Sequence, residues 1–180
     1  MLPLALAAVL ACGCSAESRR ARHLERAENY YKSGEYEKAK IEFMNVLRSD
    51  PRNATAFHRM GAIWLDQGAP VRAYPFLVRG RDLAPDDVAN RLKLARASLI
   101  GGSSEGAQKE AAAVLASDPR NGEALMMLAE SARTMDAVHT LEDELLKFPD
   151  RDSPYYHLAA ASLAIRRQDF AGAESALRKA

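Results

Sequence analysis

The chain of 180 residues is poor in cysteine: it has two, Cys12 and Cys14. The stretch from Ser15 onward has none, so it can form no internal disulfide, even in an oxidising compartment. Cys12-Gly13-Cys14 is also one residue short of a redox CxxC pair. Histidine is equally sparse. His23, His58, His139 and His157 are dispersed, and none stands four residues from another His or Cys, the spacing of a helical metal site. No metal site and no cofactor are expected. Charge of one sign is missing as well: the net charge of +1 provides no global field for nucleic acid or an acidic membrane. Nucleic acid is therefore not an expected partner. Long apolar runs are absent, since the longest, Leu2 to Ala11, has ten residues and cannot span a bilayer as a helix. The glycine pair in Gly101-Gly102-Ser103-Ser104 is not followed by GxxxxGK[ST], so no phosphate loop is indicated. Carboxylates such as Asp66 stand without a nucleophile or base in a recognisable pattern, and Asn53-Ala54-Thr55 reads as a chance sequon. No catalytic residue is assigned, and an enzymatic role is not expected.

What the chain does have is a period. Pro51, Pro85 and Pro119 are 34 residues apart, as are Gly34, Gly68 and Gly102. Ala39, Ala73 and Ala107 share the step, and so do Gly61, Ala95 and Ala129. Four ladders at one period define an internal repeat of the length of a helical hairpin. The second unit shows why these residue types recur. Phe57, Met60, Gly61 and Trp64 fall on one helical face at steps of three and four. Gly68 ends that helix in the left-handed conformation that glycine tolerates. Ala73, Leu77 and Gly80 form the inward stripe of the next helix, and Pro85 stops it. Gly61 and Ala73 are small because two helices must cross closely there. Pro75 falls inside that second helix and is expected to bend or delay it. The first unit repeats the pattern with Ala27, Tyr30, Gly34, Tyr36, Ala39, Phe43, Val46 and Pro51. The third does so with Leu94, Ala95, Gly102, Ala107, Ala111, Val114 and Pro119.

These residues resemble the tetratricopeptide repeat (TPR) family. AENYYKSGEYEKAKIEF and the two DPRN closures at 50–53 and 118–121 are typical of it, and units 20–53, 54–87 and 88–121 follow one another without a gap. The resemblance implies an all-α fold, a right-handed superhelical solenoid of stacked antiparallel helix hairpins. A fourth, degenerate unit spans 122–153, with Leu128 and Ala129 in place but Pro149 only 30 residues after Pro119. Val138, Leu141, Leu145 and Phe148 make an amphipathic stripe for a shortened helix, with Asp136 as its expected N-cap. An incomplete fifth unit, 154–180, shows Leu158, Ala161, Ala164, Phe170, Ala173 and Leu177. It stops inside its second helix, and a longer protein is the expectation.

The opening MLPLALAAVLACGCS suits the apolar core of a secretory signal followed by small residues and cysteine. It is similar to the lipobox of bacterial lipoproteins, in which a cysteine is lipidated and becomes the mature N-terminus. Cys12 and Cys14 both fit, and Gly13-Cys14-Ser15 is the commoner local form. No Lys or Arg precedes the apolar run, a departure from that pattern. Residues 1–14 are thus read as signal peptide with lipobox, 15–19 as a short linker and 20–180 as the solenoid. The basic stretch 16–26, AESRRARHLER, is read as a solvated helix start, with contact to anionic headgroups beside a lipid anchor as the alternative. The implied location is export, with a lipid anchor on the periplasmic side of a bacterial membrane.

In TPR proteins the first helix of each hairpin lines a concave, peptide-binding surface. Carried over, the resemblance implies Leu24, Glu28, Tyr31 and Lys32 from unit one and His58, Ala62, Leu65 and Asp66 from unit two. It implies Leu92, Arg96, Leu99 and Ile100 from unit three and Met126, Glu130 and Arg133 from unit four. Leu24, Leu92 and Leu99 suit packing against neighbouring hairpins equally well. The Lys and Asn with which some members clamp a C-terminal carboxylate are not at the matching positions. The expected function is a lipid-anchored scaffold that binds unknown protein or peptide partners. Two alternatives stand beside it: a component of an exopolysaccharide or exosortase (PEP-CTERM) export system, and the recruiting arm of an enzyme whose catalytic domain lies beyond Ala180.

Overall fold

The computed structural model describes the backbone from Pro3 to Ala180 and the side chains from Glu17 onward. The side chains of the apolar run and of Cys12 and Cys14 lie outside the described residues. Among the described residues there are ten helices and no strand. They group into two compact units, Met1–Pro85 and Asp86–Ala180.

The first unit holds two hairpins. Helix α1 (Pro3–Lys32) turns at Gly34 into α2 (Tyr36–Ser49), and α3 (Ala54–Asp66) turns at Gly68 into α4 (Pro70–Leu83). Both turn glycines have positive φ, 75° and 71°, a conformation that a side chain would strain. The DPRN sequence explains the joint between the hairpins. Asp50 accepts from the Arg52 amide at 3.2 Å and from the Asn53 side chain at 3.1 Å. Asn53 in turn caps α3 by accepting from the Ala56 amide at 3.0 Å. The same chain of contacts recurs 68 residues on, where Asn121 accepts from the Ala124 amide at 2.9 Å. The core centres on Phe43, Val46, Met60 and Ile63, bordered by the half-buried rings of Tyr30, Tyr31, Tyr36 and Phe76. A Cβ at Gly61 would come within 2.5 Å of the buried Leu77 side chain, so glycine is what lets α3 and α4 cross. Ala73 has no exposed surface at the same crossing.

Helix α4 continues through Pro75 to Leu83 without interruption, against the expectation of a delay. Proline removes a single donor, the partner of the Val71 carbonyl. Val71 is on the solvent side, 82% exposed, where water can take up that carbonyl.

The second unit contains α5 (Val88–Ile100), α6 (Ser104–Ser117), α7 (Gly122–Ser131), α8 (Met135–Lys147), α9 (Pro154–Arg166) and α10 (Phe170–Leu177). Its centre is α7, which packs against α5, α6, α8 and α9. Ala95, Ala107, Val114, Leu125, Leu128 and Leu141 are among its fully buried side chains. The α5–α6 turn again uses a glycine of positive φ, Gly102 at 83°. The α7–α8 link does not. A tight turn at Ala132, with the Arg133 amide donating to the Ser131 carbonyl at 2.8 Å, leads to Thr134 in extended backbone, and Thr134, not Asp136, caps α8 by accepting from the Ala137 amide at 3.3 Å. Asp136 lies one residue inside the helix, where its charge favours the positive end of the dipole. At the α9–α10 turn Gln168 stands in the left-handed position, with φ 62°.

Candidate functional site

The first helices of the hairpins carry the residues that the sequence proposes for binding. In the first unit α1 and α3 touch. Glu28 and Tyr31 project toward α3 and meet a residue that the sequence pattern missed, Arg59. Its guanidinium donates to Glu28 at 2.8 Å and lies over the Tyr31 ring at 4.7 Å. Burial disfavours the charge on Arg59, but the Glu28 carboxylate outweighs it and raises the guanidinium pKa further. Asp66 accepts weakly from the Tyr36 hydroxyl at 3.4 Å. Burial first, and then the Asp66 charge, push that phenol above its ordinary range. Leu24 and Leu65 are half-buried and Lys32 is exposed. His58 is buried and Ala62 has no exposed surface, so neither presents a contact to a ligand. At these two positions the helix face that the resemblance assigns to binding packs inside the unit.

In the second unit α5 touches α7. Arg96 is exposed and pairs with Glu123 of α7 at 3.4 Å, while Leu92 is buried in the core, in keeping with the packing alternative. Leu99 and Met126 are half-buried against that core, and Ile100 is 61% exposed. Glu130 lies on the exposed side of α7, and Arg133 stands beyond its end, exposed in the link to α8. Arg59 and Glu123 could have been found in the sequence as opposite charges on successive first helices, at positions facing Glu28 and Arg96.

A second surface was not foreseen. An open groove of about 740 Å³ runs between α2 and α4 with α3 beneath it. Ile41 and Met44 form one wall, Pro75 and Phe76 the other, and Met60 and Trp64 the floor. Ile41 is 63% exposed and Met44 40%. Trp64, expected on the inward stripe, is only half-buried because α2 and α4 do not close over it. Lys40 covers its ring at 3.9 Å and Arg72 at 5.0 Å. The sequence signal was available: Ile41 sits two residues from the inward Ala39 and Phe43, on the opposite face of α2.

Among the described residues no group of three or more metal-ligating side chains is gathered. Nor is any helix there long and apolar enough to cross a membrane.

No family model matches the chain. Among curated proteins, DnaJ homolog subfamily C member 3 of Bos taurus is 29% identical over 112 residues, 62% of this chain and 22% of that protein. The chain thus spans less than a quarter of the length of this relative. Among solved structures, a crystal structure of MamA protein superposes with a TM-score of 0.77 at 14% identity, covering 91% of this chain and 90% of that one. MamA residues 41 to the end from Desulfovibrio magneticus RS-1 give a TM-score of 0.75 at 16% identity over 89% and 92%. At such identities these structures establish the fold. The 34-residue period, the glycine-turned hairpins and these matches agree on the fold: stacked antiparallel helix hairpins of the tetratricopeptide-repeat type.

Proposed function

We propose that the chain is a non-catalytic interaction scaffold, held at a bacterial envelope membrane by a lipid on Cys14 or Cys12, and that it binds protein segments along its first helices. The observation that carries this reading is the mixed strip which these helices keep open in each unit. Leu24, Tyr31, Lys32, Leu65 and Asp66 remain at least partly accessible in the first unit. Arg96, Leu99, Ile100, Met126, Glu130 and Arg133 remain so in the second. An apolar strip edged by charge suits an extended or helical peptide, with side-chain pockets giving selectivity. Glu28 belongs to the strip as a support, since its charge is already matched by Arg59.

The location rests on the sequence of residues 9–15. Ten apolar residues are too short to hold the chain across a bilayer, so stable attachment requires added acyl chains. The test is a crosslinking pull-down from membranes, with the wild-type chain beside Ile100→Asp and Lys32→Glu. Both residues are exposed, so neither change disturbs the core. Partners captured by the wild type should be lost in the variants, and unchanged capture would refute the strip. In parallel, a clickable fatty acid should label the wild type but not the double variant Cys12→Ser, Cys14→Ser. Label that persists in the double variant would refute the anchor alone.

A further inference from the structure

We propose that the groove between α2 and α4 is a second binding site, and that it takes an acidic amphipathic segment of a partner protein. It is separate from the first-helix strip, because its floor residues Met60 and Trp64 lie on the side of α3 opposite to His58 and Ala62.

Three observations define the occupant. The first is the lining: Ile41, Met44, Met60, Trp64 and Phe76 offer a largely carbon surface, wide enough for two or three large side chains. A ligand must therefore bring apolar anchors. The second is charge. Lys40 is already matched by Glu37 at 2.7 Å. Arg48 has only Asn45 as a neighbour, at 3.2 Å, and Arg72 only the face of Trp64. Among the described residues no carboxylate lies within ion-pair distance of either arginine. The groove thus carries two guanidinium groups that its own unit does not neutralise, and carboxylates are their natural complement. The third is spacing. Arg72 and Lys40 share the Trp64 ring, so both mark one end of the groove. Arg48 is eight residues further along α2 than Lys40, roughly 12 Å at helical rise. Acids separated by two helical turns, with leucine-like anchors between them, match that distance.

Trp64 is the one tryptophan of the chain, so its emission reports the groove directly. The probe is a synthetic 16-residue amphipathic peptide with a leucine stripe flanked by glutamates, beside the same peptide with lysines in place of the glutamates. With the full chain, the glutamate peptide should shift Trp64 emission saturably. The apparent affinity should fall at least tenfold in about 0.5 M salt and in Arg48→Glu, Arg72→Glu. Ile41→Asp, a change at an exposed position, should abolish the shift with the helical circular dichroism unchanged. The lysine peptide should leave the emission as it is. The proposal is overturned if the glutamate peptide gives no shift, if both peptides bind alike, or if Ile41→Asp binds normally. It is equally overturned if the emission instead follows self-association in sedimentation or the addition of phosphatidylglycerol vesicles.

Discussion

The two units are made of the same repeat and spend their side chains differently. Unit Met1–Pro85 holds eight of the twelve aromatic residues; Tyr30, Tyr31 and Tyr36 stay half-buried at the edge of its core, and Trp64 and Phe76 line an open groove. Unit Asp86–Ala180 is alanine- and leucine-rich at its centre, where α7 is enclosed by four other helices. Small side chains let helix axes approach, so α7 is closed in, while Met135, Leu146, Ile165 and Phe170 of the same unit stay exposed on its outer helices. Large rings hold helices apart and leave edges exposed, so the first unit keeps apolar surface for contact. One repeat pattern therefore supports a closed centre around α7 and an open groove above Trp64, and residue size is one difference between them.

The sharpest test of that contrast compares deletions. Leu128→Ala in α7 removes a side chain with no exposure from a closed core, and should cost about 2–5 kcal/mol. Trp64→Ala removes a larger side chain but should cost less, because it widens a groove that water already reaches. Denaturant unfolding followed by circular dichroism measures both. A greater loss for Trp64→Ala would mean that the first unit depends on its rings as a core.

The next effect lies at the α3–α4 crossing, a tightly packed place in the first unit. Ala73→Leu should cost roughly 1–3 kcal/mol by overpacking against Gly61 and its neighbours. Ala69→Leu, at the N-cap outside the crossing, should cost less. Equal shifts in melting temperature would contradict the register assigned to α4.

Much of this was legible in the sequence, for a physical reason: a repeat states each constraint three times. Gly34, Gly68 and Gly102 all have positive φ, and Gly61 meets Leu77 where small size was inferred. The fold class followed from such positions. What was not legible belongs to single occurrences. Thr134 caps α8 because the chain enters it in extended backbone, which the Asp136 position could not reveal. The burial of His58, Ala62 and Leu92 depends on how their own neighbours pack, and not on repeat position. The α2–α4 groove was hidden for a similar reason. Periodicity marks Trp64 as inward but does not say whether α2 and α4 meet above it.

A smaller effect exploits a place where the second unit breaks the rule of the first. Gln168 occupies the left-handed turn position that glycine fills at Gly68. Gln168→Gly should raise stability by about 1 kcal/mol by relieving that strain, and Gly68→Gln should lower it by a similar amount. The two changes in thermal midpoint should have opposite signs. A fall for Gln168→Gly would show that its side chain contributes more than the strain costs.

The smallest expected effect is electrostatic and belongs to the seam of α1 with α2. Glu42 is mostly buried there, with His23 Nδ1 at 2.5 Å and Arg26 Nε at 3.3 Å. Burial acts to raise its carboxyl, but the hydrogen bonds from His23 and Asn45 and the Arg26 charge together hold it below the ordinary value of 4.5. The folded chain therefore keeps Glu42 charged to lower pH than the unfolded chain does. Its stabilising contribution is complete above that ordinary value, and disappears as pH falls through the folded one. Glu42→Gln should lower the melting temperature at pH 7, and the gap from wild type should narrow as the pH is brought down below about 4.5. A change placed in the second unit away from ionisable groups, such as Leu128→Ala, should show no such narrowing. A gap that stays constant from pH 7 to pH 3 would mean that Glu42 matters for its shape in the α1–α2 seam and not for its charge.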